Sequence, residues 1–331
     1  MTALFPIRVA PHGAQFECAE AQTVLEAAIS AGIWLPHSCK SGTCGTCELP
    51  MPSGHVRYAP DVTPPTEGHC RTCQAMPQGP VELLAPDVPK EPGQRVVTAG
   101  GRVIAVHRPS ADVTVVQVQL PANSGFAFQP GQYADVLLRD GSRRSYSMAN
   151  RPGDEGVLEW HIRRMEGGKF STHAYDRLKE KDVLRIQGPY GTFMLQDSAS
   201  PIVFLASGTG YAPIASMLHA HLEAIAQRGA VLYWGGRQWS DLYGIASVEQ
   251  WQQDFPGVRL VPVLSEAGED WNGRTGWVHQ AVLDDLPDLS GHEVYACGNP
   301  LMIDAARQAF VASAGLAPES FHSDAFVTTP R

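Results

Sequence analysis

The pattern of apolar and polar positions changes twice along the chain and divides it into three regions. Residues 1–84 combine an alternating segment at 5–9, typical of a strand, with a helical spacing that Thr23 would cap and Gly32 would end. Residues 101–195 alternate apolar and polar positions over strand-length segments, including a predicted strand at 158–162, and turn residues separate these segments. The first region is therefore predicted to be a small α+β unit, and the second a β-barrel with one helix.

The third region, from Pro201 onward, alternates continuous apolar segments with helical ones, which is typical of a parallel α/β sheet. Its first segment, 202–206, is wholly apolar, and the predicted helix after it carries apolar residues on one face. Between the first two regions, 85–93 has the proline and polar content of an interdomain linker. The predicted domains are 1–84, a linker at 85–98, a barrel at 99–197 and an α/β domain at 198–331.

Composition narrows the function classes. The chain has 331 residues, 44% hydrophobic and 18% charged, which is enough for two or three globular domains and excludes a disordered chain. Its net charge of −9 argues against nucleic acid as a partner, and no apolar segment approaches the length of a membrane span. The net charge is −3 over 1–90, +2 over 91–197 and −8 over 198–331, so a bound phosphate is expected in the middle region. Without a signal-peptide core at 1–10, a cytoplasmic location is predicted.

Three cysteines, Cys39, Cys44 and Cys47, form a C-x4-C-x2-C motif. This is the plant-type [2Fe–2S] spacing, in which a tight loop wraps the cluster and a distant fourth cysteine completes the ligands. Gly42 and Gly45 would let the loop backbone approach the sulfurs closely. The motif predicts an iron–sulfur site.

Two cysteines, Cys70 and Cys73, are candidates for the fourth ligand. The competing interpretation is a zinc ribbon, because Cys44-x2-Cys47 and Cys70-x2-Cys73 have nearly the spacing of a four-cysteine zinc site. That interpretation leaves Cys39 unexplained and does not need the glycine-rich loop. The iron–sulfur interpretation is therefore favoured.

A polar segment near the end of the barrel-like strands carries Arg144, Tyr146 and Ser147. Arginine binds phosphate with two parallel hydrogen bonds, tyrosine packs against an apolar ring face and serine donates a hydrogen bond, so the segment suits a phosphate-bearing ring system. An ordinary surface strand is the alternative for this segment taken alone.

Two glycines, Gly167 and Gly168, and the hydroxyl of Ser171 mark the start of the predicted helix that follows, and Ser171 is expected to cap that helix. Together with the helix N-terminus they would form a site for a pyrophosphate. An ordinary capped helix is the alternative, and it is disfavoured because the two motifs occur together.

A second glycine-rich turn, Gly208-Thr209-Gly210, lies between a buried strand and a helix and would let backbone amides approach another pyrophosphate. It lacks the third glycine of the dinucleotide fingerprint, so any α/β fold could contain it. Cys297 and Gly298 follow a later apolar strand, where a buried thiol at the strand end is the alternative to a functional cysteine.

Residues 1–84 resemble a plant-type ferredoxin domain, because Cys73-Gln74, Pro77 and the segment 81–83 are similar to the closing segment of that family. The resemblance implies a β-grasp fold. It also implies that Cys73 is the fourth ligand and that Cys70 is not a ligand.

The rest of the chain resembles the ferredoxin–NADP⁺ reductase superfamily. The matching segments are R-x-Y-S at 144–147, G-G-x-x-S at 167–171, G-T-G-x-A-P at 208–213, C-G-x-P at 297–300 and acid-x-aromatic at 324–326. The resemblance implies a six-stranded antiparallel β-barrel that binds FAD and a parallel α/β domain that binds NAD(P)H.

Site residues follow from the same resemblance, position by position. The implied FAD contacts are Arg144, Tyr146, Ser147, His161, Arg163, Gly167, Gly168, Ser171 and Phe326. The implied NAD(P)H contacts are Gly208, Thr209, Gly210, Arg237, Cys297 and Gly298. Ser147 and Asp324 are expected beside the reactive flavin nitrogen, and Cys297 is expected to position the nicotinamide.

The order of the three modules has a chemical reason. A nicotinamide releases two electrons as a hydride, an iron–sulfur cluster accepts one, and a flavin converts between them. Such fusions resemble reductase components of oxygenases that act on aromatic compounds, so a Rieske-type terminal oxygenase is the predicted electron acceptor. The alternatives are a di-iron monooxygenase, a deoxysugar dehydrase, or a flavin reductase fused to a zinc-binding module.

NADH is predicted as the donor, with NADPH as the alternative. The strand end expected to hold the adenosine ribose offers Arg237 as its cation, whereas nearby Asp241 would repel a 2′-phosphate. Residues 198–331 carry a net negative charge and contain no lysine, which also disfavours binding of the 2′-phosphate of NADPH.

Overall fold

The computed structural model describes residues 3–11, 13–86, 88, 94–153 and 155–327. It contains two compact units, of which the first comprises residues 1–97 with 189–192, and the second comprises residues 98–188 with 193–331. Within the predicted linker, residues 87 and 89–93 lie outside the described residues. No helix in the described ranges is both long and apolar enough to traverse a lipid bilayer.

The first unit is built on a three-stranded sheet of order β2-β1-β7, in which β1 pairs antiparallel with β2 and parallel with β7. Its elements are β1 (Leu4–Ala10), β2 (Ala14–Ala19), α1 (Val24–Ser30), β3 (Glu48–Pro50), β4 (Val56–Arg57), β5 (His69–Arg71), β6 (Met76–Pro77) and β7 (Val81–Leu84). Helix α1 begins as predicted, because Thr23 and Glu26 form a reciprocal capping box. The hydrophobic core of the unit also buries Ala85 and Val88, at the start of the predicted linker.

The second unit contains a six-stranded antiparallel sheet of order β11-β10-β13-β8-β9-β12. Its strands are β8 (Val97–His107), β9 (Val113–Gln119), β10 (Tyr133–Leu137), β11 (Arg143–Ser147), β12 (Val157–Arg163) and β13 (Val183–Tyr190), and helix α2 (Lys169–Asp176) lies between β12 and β13 in sequence. Along β12, Leu158, Trp160 and Ile162 point into the core. The alternating residues of the strand therefore lie on its opposite face.

The second unit also contains a parallel sheet of order β17-β16-β15-β14-β18-β19. Its strands are β14 (Ile202–Ser207), β15 (Ala230–Gly236), β16 (Val258–Leu264), β17 (Arg274–Thr275), β18 (Glu293–Gly298) and β19 (Phe321–Ala325), and its helices are α3 (Tyr211–Arg228), α4 (Ile245–Asp254), α5 (Val278–Asp285) and α6 (Pro300–Ser313). The chain adds strands on one side of β14 and then returns to place β18 and β19 on the other side. In such sheets, ligands bind at the carboxyl ends of the strands where this reversal occurs.

Candidate functional site

The predicted cluster ligands in the first unit approach one another in two pairs. The sulfurs of Cys47 and Cys73 lie 3.1 Å apart. Hydrogen bonding with Cys44 lowers the pKa of Cys39, and hydrogen bonding with Cys73 lowers the pKa of Cys47. No group of three or more His, Cys, Asp or Glu side chains in the described part of the chain is placed to hold a metal ion as it stands. A two-iron cluster needs four cysteine thiolates, two for each iron. The two pairs of thiols therefore fit the ligands that such a cluster requires.

The loop that carries these cysteines passes close to the segment after Cys73. Gly42 has a φ of +81°, and a Cβ built on it would lie 2.0 Å from Gln74 Oε1, so a larger residue would collide there. Gln74 Nε2 donates to the Ser41 carbonyl at 3.2 Å, and the Ser41 amide donates to Cys39 Sγ at 3.4 Å. The loop therefore directs an amide at a sulfur, as a cluster-binding loop must.

Cys70 lies outside both pairs. Its side chain is fully buried, and burial raises its pKa to about 12. It interacts with the hydroxyl of Tyr58, which accepts a hydrogen bond from the Arg71 amide at 3.0 Å. The other cysteine of this unit, Cys18, is also buried, with its pKa raised to about 11 by burial.

The first flavin motif lies on β11, where the side chain of Tyr146 packs between two aromatic rings. Its ring centroid is 6.2 Å from that of Trp160 and 5.6 Å from that of Phe170. Arg144 Nη1 donates to the Arg143 carbonyl at 2.7 Å. Tyr146 is thus anchored in the hydrophobic core that lies under the motif.

The second flavin motif corrects one expectation, because Ser171 does not cap helix α2. The N-cap is Gly168, with no side-chain capping bond, and Ser171 lies inside the first turn. Ser171 Oγ instead accepts a hydrogen bond from the Met165 amide at 3.2 Å, and a Cβ on Gly168 would lie 2.2 Å from that oxygen. The hydroxyl therefore shapes the Gly167-Gly168 turn, and the helix N-terminus presents amides that no side chain caps. This arrangement suits a phosphate group.

His161 and Glu159 lie on the face of β12 that points away from the sheet core. His161 Nε2 is 3.1 Å from Glu159 Oε1, and its Nδ1 is 2.9 Å from the Tyr243 hydroxyl. Burial opposes ionisation of Glu159, but hydrogen bonds from His161 and Gln117 outweigh it and lower the pKa of Glu159. His161 therefore joins the antiparallel sheet to the α/β part of the same unit.

Arg163, on the same face, points toward the second glycine-rich turn. Its Nε donates to Asp112 Oδ2 at 2.8 Å. Its Nη1 lies 3.1 Å from the position that a Cβ on Gly208 would occupy. The structure thus places Arg163 beside the nucleotide loop, and its predicted contact with FAD stays a prediction.

The glycine-rich turn after β14 lies directly against the end of β18. A Cβ on Gly210 would lie 2.1 Å from the Cys297 carbonyl oxygen, and one on Gly298 would lie 2.3 Å from Ser207 Oγ. The indole Nε1 of Trp234 donates to the Gly208 carbonyl at 3.0 Å. The glycines are needed because the two strand ends approach so closely, and this approach brings the predicted NAD(P)H residues together.

Three predicted catalytic residues also converge, although they come from distant parts of the sequence. Ser147 Oγ lies 3.4 Å from Asp324 Oδ2, and both side chains are buried. Cys297 on β18 lies opposite Asp324 on β19 in the register of these two parallel strands. Burial, together with the Asp324 charge, raises the pKa of Cys297 well above its usual range, so the thiol is neutral at pH 7. Next to them, the Phe326 amide donates to the Gly298 carbonyl at 2.8 Å.

Arg237 is held by carboxylates at the end of β15. Its Nε is 3.4 Å from Asp241 Oδ2, and its Nη2 is 4.0 Å from Asp112 Oδ2. Asp241 also accepts a hydrogen bond from the Arg237 amide at 2.8 Å. The positive charge of Arg237 is therefore partly compensated.

The sequence analysis missed four residues of this region: Asp112, Glu159, Trp234 and Tyr243. Glu159 could have been found, because the two-residue period of a strand places it on the same face as His161 and Arg163. The other three reach the site from distant elements and carry no local signal.

Comparison with known proteins assigns each of the three regions to a family of cofactor-binding domains. Three family models match in succession, described as a 2Fe-2S iron-sulfur cluster binding domain (residues 7–78), an oxidoreductase FAD-binding domain (101–195) and an oxidoreductase NAD-binding domain (204–308). A CDP-6-deoxy-L-threo-D-glycero-4-hexulose-3-dehydrase reductase of Yersinia pseudotuberculosis is 38% identical over 325 residues, which are 97% of this chain and 98% of the relative. The chain belongs to this family of iron–sulfur flavoprotein reductases.

Other relatives of the reductase serve oxygenases. Reductase component 1 of terephthalate 1,2-dioxygenase from a Comamonas species is 33% identical over 326 residues, 95% of each chain. The crystal structure of the Amycolatopsis cytochrome P450 reductase GcoB superposes with a TM-score of 0.83 at 32% identity, covering 98% of this chain and 99% of that one. The predicted family and the predicted set of [2Fe–2S], FAD and nicotinamide cofactors are confirmed.

Proposed function

We propose that the reductase takes electrons from NADH and delivers them, through its FAD and cluster domains, to a separate terminal oxygenase that acts on an aromatic compound. The observation that carries the proposal is the convergence of Ser147, Cys297 and Asp324 beside the nucleotide turn, in a chain that matches all three cofactor domains. Bound FAD would accept a hydride and release its electrons singly, which suits a one-electron cluster.

Cys39, Cys44, Cys47 and Cys73 would hold the cluster. The two sulfur pairs support this set, because each pair would serve one iron. Cys70 is excluded from the proposed set, since it belongs to neither sulfur pair and its hydrogen-bond partner is the Tyr58 hydroxyl.

The six-stranded sheet is proposed to be a closed barrel. Strands β11 and β12 are the two ends of its strand order, and an isolated bridge pairs Met148, just after β11, with Trp160 on β12. Arg144 and the uncapped amides of α2 would bind the FAD phosphates. Tyr146 would pack on the flavin, since its ring is already fixed by Trp160 and Phe170.

At the reacting end, the side chains would orient the donor rather than react with it. Ser147 donates to Asp324, which holds its hydroxyl at a fixed position in a buried site. Cys297 keeps its proton because burial and Asp324 both raise its pKa, so it would pack against the nicotinamide as a neutral thiol. Gly210 and Gly298 would leave room for the nucleotide backbone to approach.

NADH is the proposed donor because Arg237 already faces two carboxylates. Asp241 and Asp112 lie 3.4 Å and 4.0 Å from its guanidinium nitrogens. A 2′-phosphate placed there would have to displace or face these charges.

A deoxysugar dehydrase is the second candidate acceptor. The observation that favours it is the 38% identity to the Yersinia dehydrase reductase over almost the whole chain. The oxygenase proposal is supported by the terephthalate dioxygenase reductase and by the xylene/toluene monooxygenase electron transfer component of Pseudomonas putida, which is 34% identical over 334 residues.

Reconstitution decides between the two acceptors. The purified reductase, NADH and either the Comamonas terephthalate dioxygenase oxygenase component or the Yersinia dehydrase would be assayed for product formed per NADH consumed. Coupled turnover with the oxygenase is expected, and C73S serves as the control that should lose it. Coupling with the dehydrase alone would contradict the proposed acceptor and leave the reductase activity itself intact.

A further inference from the structure

The tetrapeptide Pro189–Thr192 belongs to the first unit, although most of β13 precedes it in the sequence. It is bound to His37, which lies two residues before the cluster loop at 39–47. The Gly191 amide donates to His37 Nε2 at 3.0 Å. The His37 amide donates to Thr192 Oγ1 at 3.1 Å, and the Thr192 amide donates to the His37 carbonyl at 3.2 Å. Because His37 is 1% exposed, these bonds are shielded from water, and they fix the tetrapeptide at the start of the loop.

Lys40 is the second residue of the cluster loop and contacts the same tetrapeptide. Its Nζ lies 3.1 Å from the centroid of the Tyr190 ring, and Tyr190 is buried. An ammonium over an aromatic face is attracted by the negative charge of that face. The Lys40 backbone has a φ of +55°, in the left-handed region that residues other than glycine seldom adopt. The ring therefore gives one position to a charge that is mobile in most lysines.

Lys40 is the one cationic side chain of the lysine or arginine type in a long part of the sequence, since the preceding one is Arg8 and the next is Arg57. It directly follows the proposed ligand Cys39. Four thiolates give a two-iron cluster a net negative charge, and reduction adds one more. The potential of such a cluster depends on the charges and hydrogen bonds around its sulfurs. A fixed cation next to a ligand therefore favours the reduced form.

We propose that Tyr190 positions the Lys40 ammonium beside the cluster, and that this charge raises the reduction potential of the cluster. One electron passes from reduced FAD to the cluster, no bond forms or breaks at the cluster, and Lys40 stabilises the negative charge that is added. Tyr190 is thus a positioning residue that acts through Lys40. The inference rests on the proposed ligand set and holds for either electron acceptor.

A redox titration followed by electron paramagnetic resonance would measure the midpoint potential of the cluster in the FAD- and cluster-loaded chain. K40Q should lower the equilibrium constant for cluster reduction about tenfold, which is about 59 mV for a one-electron couple. K40R keeps the charge and should change that constant by less than about threefold. R8Q is the matched control, because it removes the same charge from an exposed position on β1, and it should leave the potential unchanged.

A double-mutant cycle tests the role of Tyr190. Y190L should lower the equilibrium constant about threefold in the wild type and should cause no further change in K40Q, because Tyr190 acts only through Lys40. Y190F keeps the aromatic face and should behave as the wild type. The midpoint potential of the flavin, measured by absorbance in the same titration, should be the same in every variant.

An unchanged potential in K40Q would overturn the proposal, as would an equal shift in R8Q. A further shift when Y190L is added to K40Q would also overturn it, since Tyr190 would then act through the fold rather than through the charge. A wild-type chain that binds no iron would contradict the proposed function itself. That result is different from a cluster whose potential does not depend on Lys40.

Discussion

The choice between Cys73 and Cys70 as fourth cluster ligand gives the sharpest single-residue prediction. In C73S, the Cys47 sulfur loses the partner that lies 3.1 Å away, and one iron loses one of its two protein ligands. Structural zinc sites with four ligands bind with about 10–16 kcal/mol, and on that scale one ligand contributes about 2.5–4 kcal/mol, or roughly 70- to 900-fold in affinity. C73S should therefore be purified with almost no iron.

C70S is the matched control, since it makes the same atomic change three residues away. The serine hydroxyl can keep the hydrogen bond to Tyr58, so the expected cost is about 1 kcal/mol of folding stability and no loss of iron. Iron and acid-labile sulfide per chain, with the visible spectrum, would be measured on both variants, and NADH–ferricyanide activity would report on the flavin part. If C70S loses iron while C73S retains it, the ligand assignment is wrong.

Four further substitutions, one of them a control, test the flavin and nucleotide sites. Arg144→Ala should weaken FAD binding about 10- to 150-fold, because it removes a charge-assisted contact of about 1.5–3 kcal/mol from a phosphate; FAD retained at wild-type level after gel filtration would remove Arg144 from the site. The kcat/KM for NADH should exceed that for NADPH, and a clear NADPH preference that disappears in Arg237→Ala would refute the argument from carboxylate compensation. Trp234→Phe deletes the indole donor to Gly208 and should raise KM for NADH about three- to tenfold. Trp34→Phe, which removes a buried indole N–H without a hydrogen-bond partner in the first unit, should leave that KM unchanged, and equal effects of the two substitutions would contradict the proposed role of Trp234.

Much of the backbone was predictable because its signals are local. The strand predicted at 158–162 is β12, Val157–Arg163, and the predicted cap Thr23 does cap α1. Apolar periodicity and helix capping depend on residues only a few positions apart, so both signals can be recognised in a single sequence. The start of α2 was predicted wrongly, since Ser171 has the chemistry of a cap but bonds to Met165 instead.

The side-chain contacts of the site were less predictable because they join distant residues. His161 and Tyr243 are 82 positions apart, and Ser147 and Asp324 are 177 apart. No spacing rule connects such residues; only the strand order brings them together. The family motifs located Ser147 and Asp324, whereas Tyr243 lies in no motif that the sequence analysis used.

Anaerobic titration with NADH tests the central claim most directly, because it follows both redox groups in one sample. Flavin absorbance and the electron paramagnetic resonance signal of a reduced [2Fe–2S] cluster would be recorded for wild type and C73S. NADH supplies two electrons, and the flavin and the cluster together accept about three, so about one and a half equivalents of NADH should bleach the flavin and produce the cluster signal in the wild type. In C73S, about one equivalent should bleach the flavin without that signal. A wild-type protein whose flavin is bleached while an intact cluster stays oxidised would contradict the account.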